Sequence, residues 1–326
     1  MAMDSLETDF TKQFDLRYPI ICAPMFLVSS VKMVVSASEA GGLGTFPALN
    51  YRPIEKYRQV IREIKGLTTK PFGINIIVQK SNKYQYEQID HALDERTPLI
   101  ITSLGNPKEV IRLSHQVGTK VYCDVVGFEH AKKVADLGAD GLIAVAFGAG
   151  GHAGDISPLA LIPDLARMIK LPIIAAGSIV DGAGLAAAFA LGASAVYMGT
   201  RFIASKEAEV AEKYKNTIVG AVCEDIVNTD RVDGFPGNFI RTKELEALGL
   251  EKGLIEEILT KNKRIKRFIS LSRAARALFG ATDSKASYKT VYSAGHGVGL
   301  IDKVLSIQEI MEITVKEYKK IKTQLP

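Results

Sequence analysis

The residues best suited to chemistry lie in one stretch, residues 143–156, IAVAFGAGGHAGDI. An apolar run ends there, and Gly148, Gly150, Gly151 and Gly154 bracket a single histidine, His152. Glycine admits positive φ and lets a ligand approach the main chain. A histidine framed this way has its imidazole set against whatever the glycines make room for, and its ordinary pKa of about 6.5 suits proton transfer at neutral pH. Taken alone, the stretch reads equally well as a turn-forming surface loop. The elements around it decide.

Two further stretches have the composition of an anion cradle. Ala176-Gly177-Ser178-Ile179 and Tyr197-Met198-Gly199-Thr200-Arg201 each end an apolar run, and each joins glycine N–H groups to a hydroxyl donor. At the ends of other apolar runs stand the amide of Asn75, the hydroxyls of Thr102 and Ser103 and the carboxyl of Asp124. Ala23-Pro24-Met25 closes the first run with a restricted backbone suited to packing against a flat ring. His91, His115, His130, His152 and His296 lack metal-ligand spacing, and there is no G-x-S-x-G elbow. No metal site is expected, and a phosphate-bearing organic cofactor is.

These residues need a scaffold. Eight short apolar runs cover 18–25, 41–46, 72–77, 98–103, 120–126, 141–146, 172–176 and 195–199. They alternate with helical patterns over 31–40, 54–64, 85–93, 107–117, 129–137, 158–169 and 182–191. Continuous hydrophobicity marks strands covered on both faces. Eight such units predict an α/β fold, a (β/α)₈ TIM barrel, rather than an open doubly wound sheet. The open sheet would need a tight strand–glycine–helix turn. The two G-x-G-x-x-A matches, starting at Gly148 and Gly182, have the wrong spacing from strand or helix. In such barrels the working face lies at the C-terminal strand ends, with a phosphate commonly held after strands seven and eight. That rule gathers His152 and both cradles at one mouth.

Beyond Arg201 the rhythm changes. A helix is predicted over 206–218, a turn-rich loop over 227–239, helices over 245–259 and 262–278, a second glycine–histidine loop around His296, and a closing helix over 306–320. The predicted organisation is a barrel over 1–204, a mainly helical cap subdomain over 205–290, and a loop and helix over 291–326 returning to the barrel. The helix at 262–278 is strongly basic (Lys263, Arg264, Lys266, Arg267, Arg273, Arg276), which reads as a solvated face ahead of a docking site for an acidic partner.

The chain has 326 residues, 47% hydrophobic and 24% charged, enough to bury a large core. A net charge of +5 is too small to call for nucleic acid. Cys22, Cys123 and Cys223 are widely spaced, which predicts free thiols in a reducing compartment and no zinc site. Residues 1–17 lack the pattern of a signal peptide, and no apolar run approaches the ~18 residues of a membrane span. A cytoplasmic protein without membrane contact is expected.

Taken together, Ala23-Pro24-Met25, Gly41-Gly-Leu-Gly-Thr45, Phe72-Gly-Ile-Asn75, Ala149-Gly-Gly-His152, Ala175-Ala-Gly-Ser-Ile179 and Met198-Gly-Thr-Arg-Phe202 resemble the nitronate monooxygenase family. The likeness runs in order from about residue 15 to about residue 205 and resumes at Ser293-Ala-Gly295. It implies an FMN-dependent barrel, with the flavin phosphate in the loops after strands seven and eight. By family position, Asn75, Gly150, Gly151, Gly177, Ser178, Tyr197, Met198, Gly199 and Thr200 would contact FMN. Ala23, Pro24 and Met25 would lie by the isoalloxazine, Asp124 at the same mouth, and His152 would be catalytic. Three positions depart from the family pattern: Gly148 stands in place of a glutamate, and Val145 and His296 each in place of a glutamine.

The implied reaction is oxidation of an alkyl nitronate with O₂ to a carbonyl compound and nitrite, with redox chemistry supplied by the flavin. His152 would orient or protonate the nitro group, or take an α-proton from a neutral nitroalkane. The same motifs also resemble NAD(P)H-dependent flavin reductases of the enoyl-acyl carrier protein reductase or quinone reductase type. A flavin-binding protein without turnover is the third alternative. NAD(P)H as reductant and a homodimer as the assembly stay open at this point.

Overall fold

The computed structural model describes residues 6–79, 81–249 and 290–324. Eight parallel strands close into a barrel in the order β1 to β8, as the apolar runs predict. They are β1 Ile20–Cys22, β2 Leu43–Pro47, β3 Phe72–Ile77, β4 Leu99–Ser103, β5 Lys120–Val125, β6 Gly141–Val145, β7 Ile173–Ala176 and β8 Ala195–Met198. β8 closes on β1 with Ile21 beside Tyr197.

Between consecutive strands lie α2 Val31–Glu39, α3 Ile54–Leu67, α4 Gln85–Asp94, α5 Lys108–Val117, α6 Phe128–Asp136, α7 Pro158–Met168 and α8 Gly182–Ala190. Their apolar faces cover the outward residues of the strands in one large core. The eighth barrel helix arrives late. α12, Ile307–Gln324, packs against α8 and α2, so the segment after β8 is an insertion ahead of the helix that completes the ring. Gly182 permits that contact, since a Cβ there would meet the Tyr318 nitrogen at 2.3 Å.

Strand residues alternate between the helix layer and the barrel interior. The interior holds Ile21, Leu43, Leu99, Ile101, Tyr122, Ile143, Ile174 and Ala195. Gly141 makes room for the Tyr122 ring, which a Cβ would touch at 2.3 Å. An N-terminal helix that the sequence reading missed, α1 Asp9–Phe14, closes the bottom. It begins in a capping box at Thr8 and Thr11 and drives Phe10 and Phe14 against Tyr122. The Tyr122 hydroxyl donates to Gln13 Oε1 at 2.6 Å.

After β8 come a short helix α9, Thr200–Ile203, and α10, Glu212–Gly220. The turn-rich stretch predicted as a loop is instead an antiparallel hairpin of β9 Ile226–Thr229 and β10 Gly237–Ile240. Its turn formers occupy the connection, while alternating Val227 and Phe239 pack on Val232, Leu245 and Val291. A short helix α11, Lys243–Glu246, follows. Of the helix predicted over 245–259 only the first residues are described, and the basic helix over 262–278 lies outside the described residues. Among the described residues no helix is long and apolar enough to cross a membrane, and no His, Cys, Asp and Glu cluster could hold a metal.

Candidate active site

At the C-terminal ends of the strands the barrel opens into a cavity of about 700 Å³. The same parity that buries Ile101, Tyr122 and Ile143 inside the barrel brings the next inward residues to its floor: Asn75, Ser103, Asp124, Val145 and Tyr197. Their outward neighbours turn away, as Thr102 does when its hydroxyl donates to Cys123 Sγ at 3.2 Å. Cys22 and Cys123 are buried and Cys223 is exposed.

Three adjacent strands contribute a hydrogen-bonded chain across the floor. Asn75 Nδ2 donates to Ser103 Oγ at 2.6 Å and to the Ile101 carbonyl at 3.3 Å, and Ser103 Oγ donates to Asp124 Oδ2 at 2.5 Å. Asp124 Oδ1 is buried and has no hydrogen-bond partner among the described residues. Burial pushes the Asp124 carboxyl up to about 6, against the lowering effect of the Ser103 hydroxyl. Burial, and then the neighbouring Asp124, pushes the Tyr197 phenol well above its ordinary value.

The loop after β1 carries Ala23, Pro24 and Met25 along one wall. Asn50 fixes it, donating to the Met25 and Ser29 carbonyls and accepting from Leu27 N–H. Beside it, across the β8–β1 seam, stand Gly199 and Thr200 after β8, and next along the rim Gly177 and Ser178 after β7. Met198 is not on the cavity wall: outward parity puts its side chain in the helix layer, and its carbonyl accepts from Ala23 N–H. Gly177 sits at φ +128° and Ser178 at φ +55°, a region that costs a non-glycine residue energy and concentrates at functional turns. The Ser178 hydroxyl donates to the Gly148 carbonyl at 3.2 Å. A Cβ on Gly148, itself at φ +86°, would lie 2.2 Å from that hydroxyl.

The histidine loop follows β6, and Gly148, Gly150, Gly151 and His152 line the cavity. The insertion pins it. Asn238 on β10 exchanges backbone hydrogen bonds with Gly151 at 2.9 and 3.2 Å, and its side chain donates to the Ala149 carbonyl at 2.7 Å. His296 N–H donates to the Gly148 carbonyl at 3.0 Å, while its Nδ1 is buried without a partner among the described residues and its ring lies 5.1 Å from that of Phe147. His152 Nε2 lies 2.8 Å from Oδ2 of Asp233, in the hairpin connection. Asp233 is 5% exposed, and its other oxygen accepts from Phe235 N–H at 3.0 Å. The Phe235 ring meets the imidazole edge to face at 5.9 Å.

The sequence reading missed Asp233, Phe235 and Asn238. Their only signal was the density of turn formers in 227–239, which gives no hint of a pairing with a loop so far back in the chain. The cavity's other walls are apolar or aromatic, with Phe26, Leu104, Val126, Tyr214, Phe239 and Val291. The arrangement brings a carboxylate-held imidazole over a pocket with a polar floor and a glycine-rich side.

A sequence model of the nitronate monooxygenase family matches residues 7–85 and 77–317. A nitronate monooxygenase from Pseudomonas aeruginosa is 33% identical over 257 residues, which cover 65% of this chain and 73% of that protein. The (3aS,4S,5R,7aS)-5-hydroxy-7a-methyl-1-oxo-octahydro-1H-indene-4-carboxyl-CoA dehydrogenase of Rhodococcus jostii is 33% identical over 258 residues, 78% of this chain and 72% of that one. Among solved structures, FabK from Thermotoga maritima superposes with a TM-score of 0.84 at 32% identity over 98% of both chains.

Proposed function

The chain belongs to the nitronate monooxygenase family, and on that premise we propose that it is an FMN-dependent enzyme oxidising alkyl nitronates with O₂ to carbonyl compounds and nitrite. It is an oxidoreductase of a flavin-using family acting on a small molecule. The observation that carries the finer reading is the His152–Asp233 pair at 2.8 Å on the wall of the 700 Å³ cavity.

The residues present suit a flavin mononucleotide. Gly148, Gly177 and Gly199 line the cavity on the β6–β8 side without side chains, and Ser178 and Thr200 add hydroxyls. Ala23, Pro24 and Met25 form a wall suited to a ring face. The buried, unpartnered Asp124 Oδ1 and the remaining Asn75 carbonyl oxygen offer polar partners at the floor. Once bound, the flavin would supply one-electron redox chemistry between the nitronate and O₂.

The chain's own residues supply position and charge. Nε2–H of His152 donates to Asp233, which fixes the tautomer and leaves Nδ1 for the substrate. Neutral, Nδ1 is a base for the α-proton of a nitroalkane; protonated, it donates to a nitronate oxygen.

A second reading, a flavin reductase driven by NAD(P)H, is favoured by the end-to-end likeness to the FabK structure. One assay separates the two. Under air, the flavin-loaded protein should release nitrite from propyl-1-nitronate far faster than it oxidises NADH or NADPH, and its extracted cofactor should be FMN. Rapid NAD(P)H oxidation with no nitrite overturns the first reading.

A further inference from the structure

The floor of the cavity holds a carboxyl without a countercharge. Asp124 is the penultimate residue of β5 and lines the cavity between Ser103 on β4 and Val145 on β6. Oδ2 is occupied, because it accepts the Ser103 hydroxyl, whose oxygen in turn accepts from Asn75. Both Asn75 amide hydrogens are used, one on Ser103 and one on the Ile101 carbonyl, so the chain Asn75→Ser103→Asp124 has a fixed direction. The hydrogen bonds run toward Asp124 and stop at its second oxygen, which is buried with no partner among the described residues.

Among the described residues lining the cavity none is Lys or Arg. The titratable groups that share the cavity with Asp124 are Tyr197 from β8, His130 from α6, His152 from the loop after β6 and Tyr214 from α10. Cys123, its neighbour in the strand, turns outward to Thr102. Burial raises the Tyr197 and Tyr214 phenols and lowers the His130 imidazolium, so none of these three readily supplies a compensating charge. An ionised carboxylate here would be desolvated, singly hydrogen-bonded and unpaired, the costliest state for such a group. A neutral acid keeps the Ser103 bond at Oδ2 and turns Oδ1 into a donor.

We propose that Asp124 meets the bound flavin as the neutral acid and donates one hydrogen bond from Oδ1–H to an acceptor atom of the ring system. This rests on the flavin reading above. It makes Asp124 a proton-holding cofactor ligand, so the grip on the cofactor depends on that proton. Raising pH ionises the carboxyl, removes the donor and sets a negative charge against an electron-rich ring, so the cofactor loosens in alkali.

The test compares FMN release from the flavin-loaded wild type and from Asp124→Asn, by equilibrium dialysis read on flavin fluorescence, between about pH 5 and about pH 8. The carboxamide is a donor at every pH, and the FMN phosphate titrates alike in both proteins. Loss of one such bond is worth about tenfold in dissociation constant. The wild-type constant should therefore rise about tenfold relative to the variant across this range. Superposable curves overturn the proposal while leaving flavin binding intact, whereas a protein that takes up no flavin overturns the underlying reading. A measurement independent of the variant's folding is infrared spectroscopy of the wild-type holoprotein with ¹³C-labelled aspartate. A protonated Asp carbonyl band that shifts in D₂O and responds to flavin reduction supports the proposal. Absence of that band at about pH 5 refutes it.

Discussion

His152 Nε2 and Asp233 Oδ2 stand 2.8 Å apart, although one lies in the loop after β6 and the other beyond β8, in the connection between β9 and β10. The half-exposed imidazole faces the cavity, and the carboxylate behind it is buried and held by the Phe235 N–H. Asp233 is therefore a positioning residue. Its replacement in Asp233→Asn should leave flavin content unchanged and lower kcat about 10- to 100-fold, the worth of one charge-assisted hydrogen bond, with little change in KM. Steady-state kinetics beside the visible spectrum check this. Equal losses in flavin content and kcat would show a merely structural role.

The barrel and its mouth were legible because eight apolar runs of strand length need cover on both faces, and because inward parity continues from Ile101 to Ser103 and from Tyr122 to Asp124. Met198 fell on the wrong parity, and a reading that takes a contiguous motif whole cannot see that. The hairpin at 226–240 was hidden because its strands are four residues each and its pairing with Gly151 is set by tertiary contact. The α1 plug was hidden because two phenylalanines in a short polar segment carry no periodic signal.

Gly148 joins the histidine loop to the turn at Ser178. In Gly148→Ala the new Cβ would fall 2.2 Å from Ser178 Oγ at a backbone with φ +86°. Strain of about 1–3 kcal/mol must then open one of the two loops. The purified variant should carry markedly less flavin per chain, read as the ratio of visible to protein absorbance. A ratio equal to wild type would show that these loops do not form the cofactor's cradle.

Phe10, fully buried against Phe14 and Tyr122, lies at the opposite end of the barrel from the cavity. Phe10→Ala should cost about 3–5 kcal/mol in denaturant unfolding. Flavin content and turnover per folded molecule should stay near wild type. Loss of flavin with stability intact would mean that α1 supports the mouth rather than the base.

The helix that completes the barrel is capped by Ser306 and Glu309, which exchange hydrogen bonds, and Glu309 also pairs with Lys206 at 3.1 Å. The Ser306 N–H and hydroxyl, then Lys206, hold the Glu309 carboxyl down to about 2. A depressed carboxyl stabilises the fold above its unfolded value near 4.5 and loses that contribution as pH falls toward about 2. Thermal midpoints of wild type should drop more steeply than those of Glu309→Gln between about pH 5 and about pH 3. Parallel slopes would rule out this cap as an acid-sensitive anchor.

On the proposed function, a nitronate gives its electron to a flavin held in this mouth. Rapid mixing of the oxygen-free holoprotein with propyl-1-nitronate tests it, with NADH and NADPH in parallel and His152→Asn as the companion. The nitronate should bleach the visible flavin absorbance of wild type rapidly and that of the still-yellow variant about 100-fold or more slowly, while the nicotinamides leave both unchanged. Bleaching by NADH or NADPH with none by the nitronate would rule out the nitronate as this flavin's electron donor.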